Sequence, residues 1–188
     1  MINDYVKRNV CMLFALLVLT SLLFAQKEKR DSKTQVSSDS LLIIARSIID
    51  SARCHVLVTV DENGKPHARE MDPFAPEENM TIWLGTSPRT RKVKQIEKNP
   101  NVVMFYYDTK GISYVALEGK ARIVNDPAQK EKHWKQYWKL YYPDQNKDYV
   151  LIQIVPDIME LISYKHNILG TTDSFLPSSV KFDKSKDK

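Results

Sequence analysis

Glycine is scarce in this chain, with five among 188 residues, and none of them builds a Gly-rich phosphate loop or dinucleotide fingerprint. A nicotinamide substrate would therefore bind without a Rossmann domain. Cysteine is scarcer still, at two residues, Cys11 and Cys54. Cys11 lies in an N-terminal apolar segment, so removal of that segment leaves Cys54 alone and no internal disulfide can form. Within an alternating strand pattern, Cys54 reads as a small buried hydrophobe rather than a nucleophile. The four histidines, His55, His67, His133 and His166, lack metal-ligand spacing and any pattern of residues placed to orient them as ligands, which argues against zinc or iron. Ser47, Ser51 and Ser113 lack a nucleophile elbow. The formal charge is +5, but acidic residues are interspersed almost throughout, so the composition is not that of a nucleic-acid-binding protein.

What is present begins with Lys7 and Arg8, followed by nearly continuous apolar sequence over residues 10–25. A basic region, an apolar run and Leu23-Phe24-Ala25 as a cleavage site read as a signal peptide spanning residues 1–25. The run of ~16 residues is short for a membrane span, which needs about 20. Export to a periplasm or the exterior is the expectation, and an uncleaved anchor over residues 10–25 is the alternative. Residues 26–39, rich in Ser and Lys, read as a flexible linker. The tail, residues 171–188, reads as polar, basic and disordered.

The span between, residues 40–170, reads as one domain. Leu41, Leu42, Ile44, Ala45, Ile48, Ile49 and Ala52 recur at helical spacing, with Asp39 or Ser40 as N-cap. Residues 54–61 (CHVLVTVD) read as a strand, Glu62-Asn63-Gly64-Lys65 as a hairpin turn, and residues 66–72 as the return strand. A third strand (MTIWLG, 80–85) leads to a helix with Ser87 as N-cap and Pro88 in its first turn. That helix should stop before Pro100. Strands follow at 102–107 and 113–124, then a helix over 127–140 with Trp134 and Trp138 on one face, and a last strand or strand pair over 149–164. This order predicts an α+β domain, with an antiparallel sheet long enough to curl into a small barrel.

Two stretches carry chemistry. Thr86-Ser87-Pro88-Arg89-Thr90-Arg91-Lys92 sits at a strand-to-helix junction, where unpaired backbone N–H groups and the dipole favour an anion. Cations at that end of a helix are unfavourable by about 0.3–1 kcal/mol each, so an anion should compensate them. The competing reading is a solvated basic face bonded to nearby acids. In Pro66-His67-Ala68-Arg69-Glu70-Met71, period-two alternation places His67, Arg69 and Met71 on one face. Arg69 and Met71 together can line a planar heteroaromatic ligand, or they can be a solvated Arg beside a core Met.

The ordered series VTVDENGKPHAREM, MTIWLGTSPRTRKVKQIEKNPNVVMFYYD and YVALEGKARIVND resembles the FMN-binding general-stress-protein branch of the pyridoxamine-phosphate-oxidase-like superfamily. The resemblance covers residues 51–164. It implies a six- to seven-stranded antiparallel split β-barrel with flanking helices, forming a homodimer with the cofactor at the interface. It also implies that Thr86, Ser87, Thr90, Arg91 and Lys92 hold the FMN phosphate, with Arg69, Met71 and Trp83 beside the isoalloxazine ring. The Trp134–Trp138 segment resembles one that lies near the active site in that family. One departure stands out: the usual Ser-Arg-Pro-Met motif is here Ala68-Arg69-Glu70-Met71. The implied function is an FMN-dependent oxidoreductase acting on a small-molecule substrate. The alternative is a non-enzymatic protein that binds, stores or senses a flavin, a deazaflavin or haem. A membrane enters only through an uncleaved N-terminal segment.

Overall fold

The computed structural model describes residues 36–171 and 174–183; the expected signal peptide and most of the expected linker lie outside these. The chain divides into two compact units, residues 1–37 and 38–188, and the second carries all the elements that follow. Helix α1 (Ser38–Ser51) starts two residues before the expected boundary. It buries Leu41, Ala45, Ile48 and Ile49 at the spacing of a single helical face. Its Arg46 guanidinium donates to the carbonyls of Pro76, Glu77 and Glu78 at 3.1, 2.7 and 2.8 Å, pinning the loop on which Met80 is buried.

Seven strands form one antiparallel sheet: β1 (Cys54–Val60), β2 (Pro66–Glu70), β3 (Ile82–Thr86), β4 (Asn101–Asp108), β5 (Ser113–Val124), β6 (Val150–Ser163) and β7 (Ser178–Lys181). The hydrogen-bonded order is β2-β1-β4-β5-β6-β3, with β7 also on β6. The path is open, and its two ends meet through an isolated bridge between Pro73 and Leu84. At the β1–β2 turn, Gly64 takes φ +79°, and Asp61 Oδ1 accepts the amides of Asn63 and Lys65, both at 3.0 Å.

The strand or strand pair expected over residues 149–164 is one strand, β6. A bulge opposite Glu118/Gly119 absorbs Asp157, so that Gly119 faces Pro156 and Glu118 faces Ile158. The strand thereby bends and serves two neighbours on its other edge, β3 over residues 150–154 and β7 over 158–161. Glycine is needed at 119, because a Cβ there would lie 2.7 Å from Pro156 Cα.

Three expectations need correction. Residues 178–181 of the supposedly disordered tail are β7; Val180 is buried and Phe182 packs on the core. Polar composition concealed a strand of four residues whose single buried side chain satisfies the alternation. The helix expected over 127–140 is two pieces, α3 (Pro127–Lys132) and a 3₁₀ helix (Gln136–Leu140). His133 Nδ1 lies 3.0 Å from the Gln129 carbonyl, and Lys135 is extended at φ −109°, ψ 126°. Packing of the flanking rings overrides local propensity there. The third concerns Ser87, described with the site below.

Two apolar clusters lie on opposite faces of β3. Ile82 and Leu84 join the main core, whereas Trp83 joins Val124, Trp138, Tyr149 and Leu151. This second cluster is roofed by the residues of the broken helix. The Lys135 ammonium bonds Asp72 Oδ1 at 2.5 Å and the Pro73 carbonyl at 3.1 Å, and lies 4.9 Å from the centroid of the Phe74 ring. Tyr137 donates its hydroxyl to Asp72. Burial and that carboxylate push the Tyr137 phenol up to about 12. A helix α4 (Gln145–Asp148) then leads into β6, capped by Asp144, which accepts the amides of Asn146 and Lys147.

Candidate functional site

The end of β3 delivers Thr86, 2% exposed, to the start of helix α2 (Arg91–Lys98). Ser87 is not the N-cap of that helix. Residues 87–90 form a turn with Pro88 at its second position, where its fixed φ is favourable. The Ser87 carbonyl accepts the Thr90 amide at 3.1 Å. The cap is Thr90, with φ −75° and ψ 149°, and its side chain makes no capping bond. Its hydroxyl instead donates to the Ser87 carbonyl at 2.9 Å. The first-turn amides of α2 therefore have no side-chain cap, which leaves an anion-favouring helix end.

Thr86 Oγ1 lies 3.3 Å from Thr90 Oγ1 and accepts from the Lys92 ammonium at 3.0 Å. Because the Thr90 proton is already committed to Ser87, Thr86 is the donor to Thr90. The two hydroxyls and the ammonium form one chain around the helix start. Arg91 is exposed. Arg89 turns away, paired with Asp148 at 3.3 Å.

Arg69, on β2, is cross-strand partner to Leu57 and shares its inward face. Its Nη1 donates to Thr59 Oγ1 at 2.8 Å and to the Leu57 carbonyl at 3.2 Å; its Nη2 donates to Gln95 Oε1 at 3.2 Å. Burial and the nearby Arg91 push the Arg69 guanidinium down in pKa. Burial and the nearby Arg69 do the same to the Lys92 ammonium. Among the described residues, Arg69, Arg91 and Lys92 form no ion pair with a carboxylate. The structure thus brings together three cations that raise one another's electrostatic energy, beside hydroxyls and an uncapped helix end. That arrangement can bind an anion.

Met71 lies on the same alternation face as Arg69, half-buried against the main core, and its amide donates to the His55 carbonyl at 2.8 Å. Glu70 is exposed on the other face. Trp83 is not brought to Arg69. Strand alternation turns it to the opposite side of β3, where it stacks on His133 with centroids 4.5 Å apart and its buried Nε1 has no hydrogen-bond partner among the described residues. Trp134 and Trp138 do touch, edge to face at 6.2 Å. Trp138 lies against Gly85, where a Cβ would come within 2.6 Å of its ring.

Sequence reasoning missed Thr59 and Gln95. Thr59 is fully buried and Gln95 is 5% exposed. The available signal was a polar residue at an inward position of an otherwise apolar face, Thr59 two residues after Leu57 and Gln95 between Val93 and Ile96.

The described residues contain no group of three or more His, Cys, Asp or Glu side chains arranged to hold a metal ion. They also contain no helix long and apolar enough to cross a membrane.

Comparison with known proteins places this geometry. General stress protein 26 of Bacillus subtilis (strain 168) is 33% identical over 120 residues, which is 62% of this chain and 84% of the relative. The crystal structure of General Stress Protein 26 from Bacillus anthracis str. Sterne superimposes with a TM-score of 0.57 at 30% identity, covering 73% of this chain and 95% of the other. A pyridoxamine 5'-phosphate oxidase-related, FMN binding protein from Nostoc punctiforme PCC 73102 shares the fold, with a TM-score of 0.58 at 16% identity over 80% of this chain and 98% of the other. The seven-stranded sheet is accordingly an α+β split barrel. Residues 44–179 match the sequence model of the family described as Pyridoxamine 5'-phosphate oxidase like, and the chain belongs to that family.

Proposed function

We propose that this protein binds FMN, with the phosphate at Thr86, Ser87, Thr90, Arg91 and Lys92, and acts as an FMN-dependent oxidoreductase. The observation that carries the reading is the cluster of Arg69, Arg91 and Lys92 beside the uncapped start of α2, with no carboxylate among the described residues bonded to any of them. The Bacillus homologues and the FMN-binding relative of shared fold are consistent with it. The residues fit a phosphate ester: the Ser87 hydroxyl and the uncapped first-turn amides of α2 can donate hydrogen bonds, the Thr86 and Thr90 hydroxyls can do so by turning from their present acceptors, and Lys92 and Arg91 supply charge. Arg69 and Met71 would border the ring. When bound, FMN supplies the hydride and electron chemistry. Arg69 would favour negative charge developing on the reduced ring.

A second copy of the chain is proposed to pair with this one and complete the site. The outward sheet face supports this, since Val58, Val60, Val103 and Ile158 line a cleft of about 230 Å³ there and Phe105 stacks on Tyr114 beside it. Export, or attachment through residues 10–25, is part of the same proposal, and sequencing the mature N-terminus decides between the two. The test of function is an FMN titration of the full-length chain beside the Arg91→Ala/Lys92→Ala double variant. A bound flavin spectrum lost in the variant supports the site, and a protein that ignores FMN refutes it. Turnover separates an enzyme from a carrier: an enzyme bleaches with a reductant and recovers with an acceptor over many cycles.

A further inference from the structure

Among the described residues, the guanidinium of Arg69 is held by neutral acceptors alone: the Leu57 carbonyl, the Thr59 hydroxyl and the Gln95 amide. Direction is fixed around this ring of bonds. An Arg N–H can only donate, so the Gln95 atom facing Arg69 must be its oxygen. The Thr59 hydroxyl gives its one proton to the same oxygen at 2.6 Å, which turns its lone pairs toward Arg69 Nη1. Thr59 is fully buried and Gln95 is 5% exposed, so water does not replace these partners. Buried or half-buried guanidinium groups are ordinarily neutralised by a carboxylate. Here a glutamine stands where glutamate, equal in size and accepting the same two bonds, would form that ion pair.

We propose that Gln95 is a positioning residue that sets the charge of the ligand site: its neutral amide fixes the Arg69 guanidinium while leaving the positive charge uncompensated for an anionic ligand. Thr59 completes the clamp from β1. The inference rests on the flavin reading for the identity of the ligand, and goes beyond it in naming what keeps the site cationic.

Two variants of the full-length chain separate charge from position. Gln95→Glu keeps both accepted bonds and neutralises Arg69; Gln95→Met loses the bonds and adds no charge. FMN affinity is read by quenching of flavin fluorescence, and the reduction potential of bound FMN against a reference dye. Gln95→Glu is expected to bind FMN at least about tenfold more weakly. It should also disfavour the reduced flavin about tenfold more than the oxidised, roughly 30 mV downward for a two-electron couple. Gln95→Met is expected to weaken binding by a smaller factor and to leave the potential at the wild-type value. Equal potentials in all three proteins overturn the inference, because a purely structural Gln95 would alter stability without separating the two variants. If the wild type takes up no FMN, the flavin reading falls, and thermal melts with inorganic phosphate decide the inference by themselves. A phosphate-induced rise in midpoint for wild type and Gln95→Met, absent in Gln95→Glu, upholds it. An equal response of all three, including no response, overturns it.

Discussion

Replacing Lys92 with methionine should make the ligand-free protein more stable and its ligand-bound form less so. Among the described residues the Lys92 ammonium makes one hydrogen bond, to Thr86 Oγ1 at 3.0 Å, and burial and Arg69 both disfavour its charge. Methionine retains most of the apolar stem, removes the charge, and leaves Thr86 its other partner, Thr90. With the repulsion screened as near a protein surface, the expected gain for the ligand-free protein is about 1 kcal/mol. For a domain of this size that is a rise of roughly 2–4 °C in Tm. A ligand at a hundred times its Kd stabilises the wild type by about 2.7 kcal/mol. Loss of one charge-assisted bond costs roughly 1.5–3 kcal/mol of affinity, so the variant should lose most of that ligand-induced rise.

The pH dependence has a definite sign. A cation whose folded pKa lies below its unfolded value destabilises the fold while it stays charged. That cost is relieved as pH rises from the depressed folded value toward the ordinary 10.5. The gap in Tm between the ligand-free proteins should therefore close over that window. Differential scanning calorimetry with and without FMN, repeated across alkaline pH, makes the comparison. A ligand-free Lys92→Met that is less stable than wild type, and still gains the full ligand-induced rise, would refute the electrostatic reasoning.

Three further outcomes are expected. Gly119→Ala forces a Cβ against the backbone of Val155 and Pro156, neither of which can rotate away, so it should cost at least about 1–3 kcal/mol in urea unfolding. Truncation after Gly170 removes Val180 and Phe182 from the core; burial of such side chains stabilises by about 1.5–3 kcal/mol each, and a truncated protein with unchanged Tm would show that β7 contributes nothing. Asp72→Asn removes the carboxylate that Tyr137 bonds, so its phenol should titrate below the value of about 12 in the wild type, followed by NMR of labelled tyrosine.

Much of this protein was legible in its sequence. The alternation in residues 54–60 and 113–124, the Asn63-Gly64 turn and the stop before Pro100 are local signals, and β1, β5 and the end of α2 follow them. The ordered motifs from Val58 to Asp126 also identified the family, because several spaced elements had to agree at once. Arg69 and the Thr86–Lys92 stretch were marked by residue type in a recognisable place. The rest was decided by contacts between segments distant in sequence. Ser87 and Thr90 are both good caps, and the Pro88 turn selects Thr90. The helix through Trp134 breaks because Lys135 reaches Asp72, 63 residues earlier, and Trp138 needs the space over Gly85. Alternation alone sets Trp83 opposite Ile82, Leu84 and Thr86 on β3, but only the packing of Val124, Trp138, Tyr149 and Leu151 around it makes that side a second core. Local propensity specified most of the elements; the partners of Arg69, Thr59 on one strand and Gln95 on a helix 36 residues later, exist only once the sheet and helix have packed.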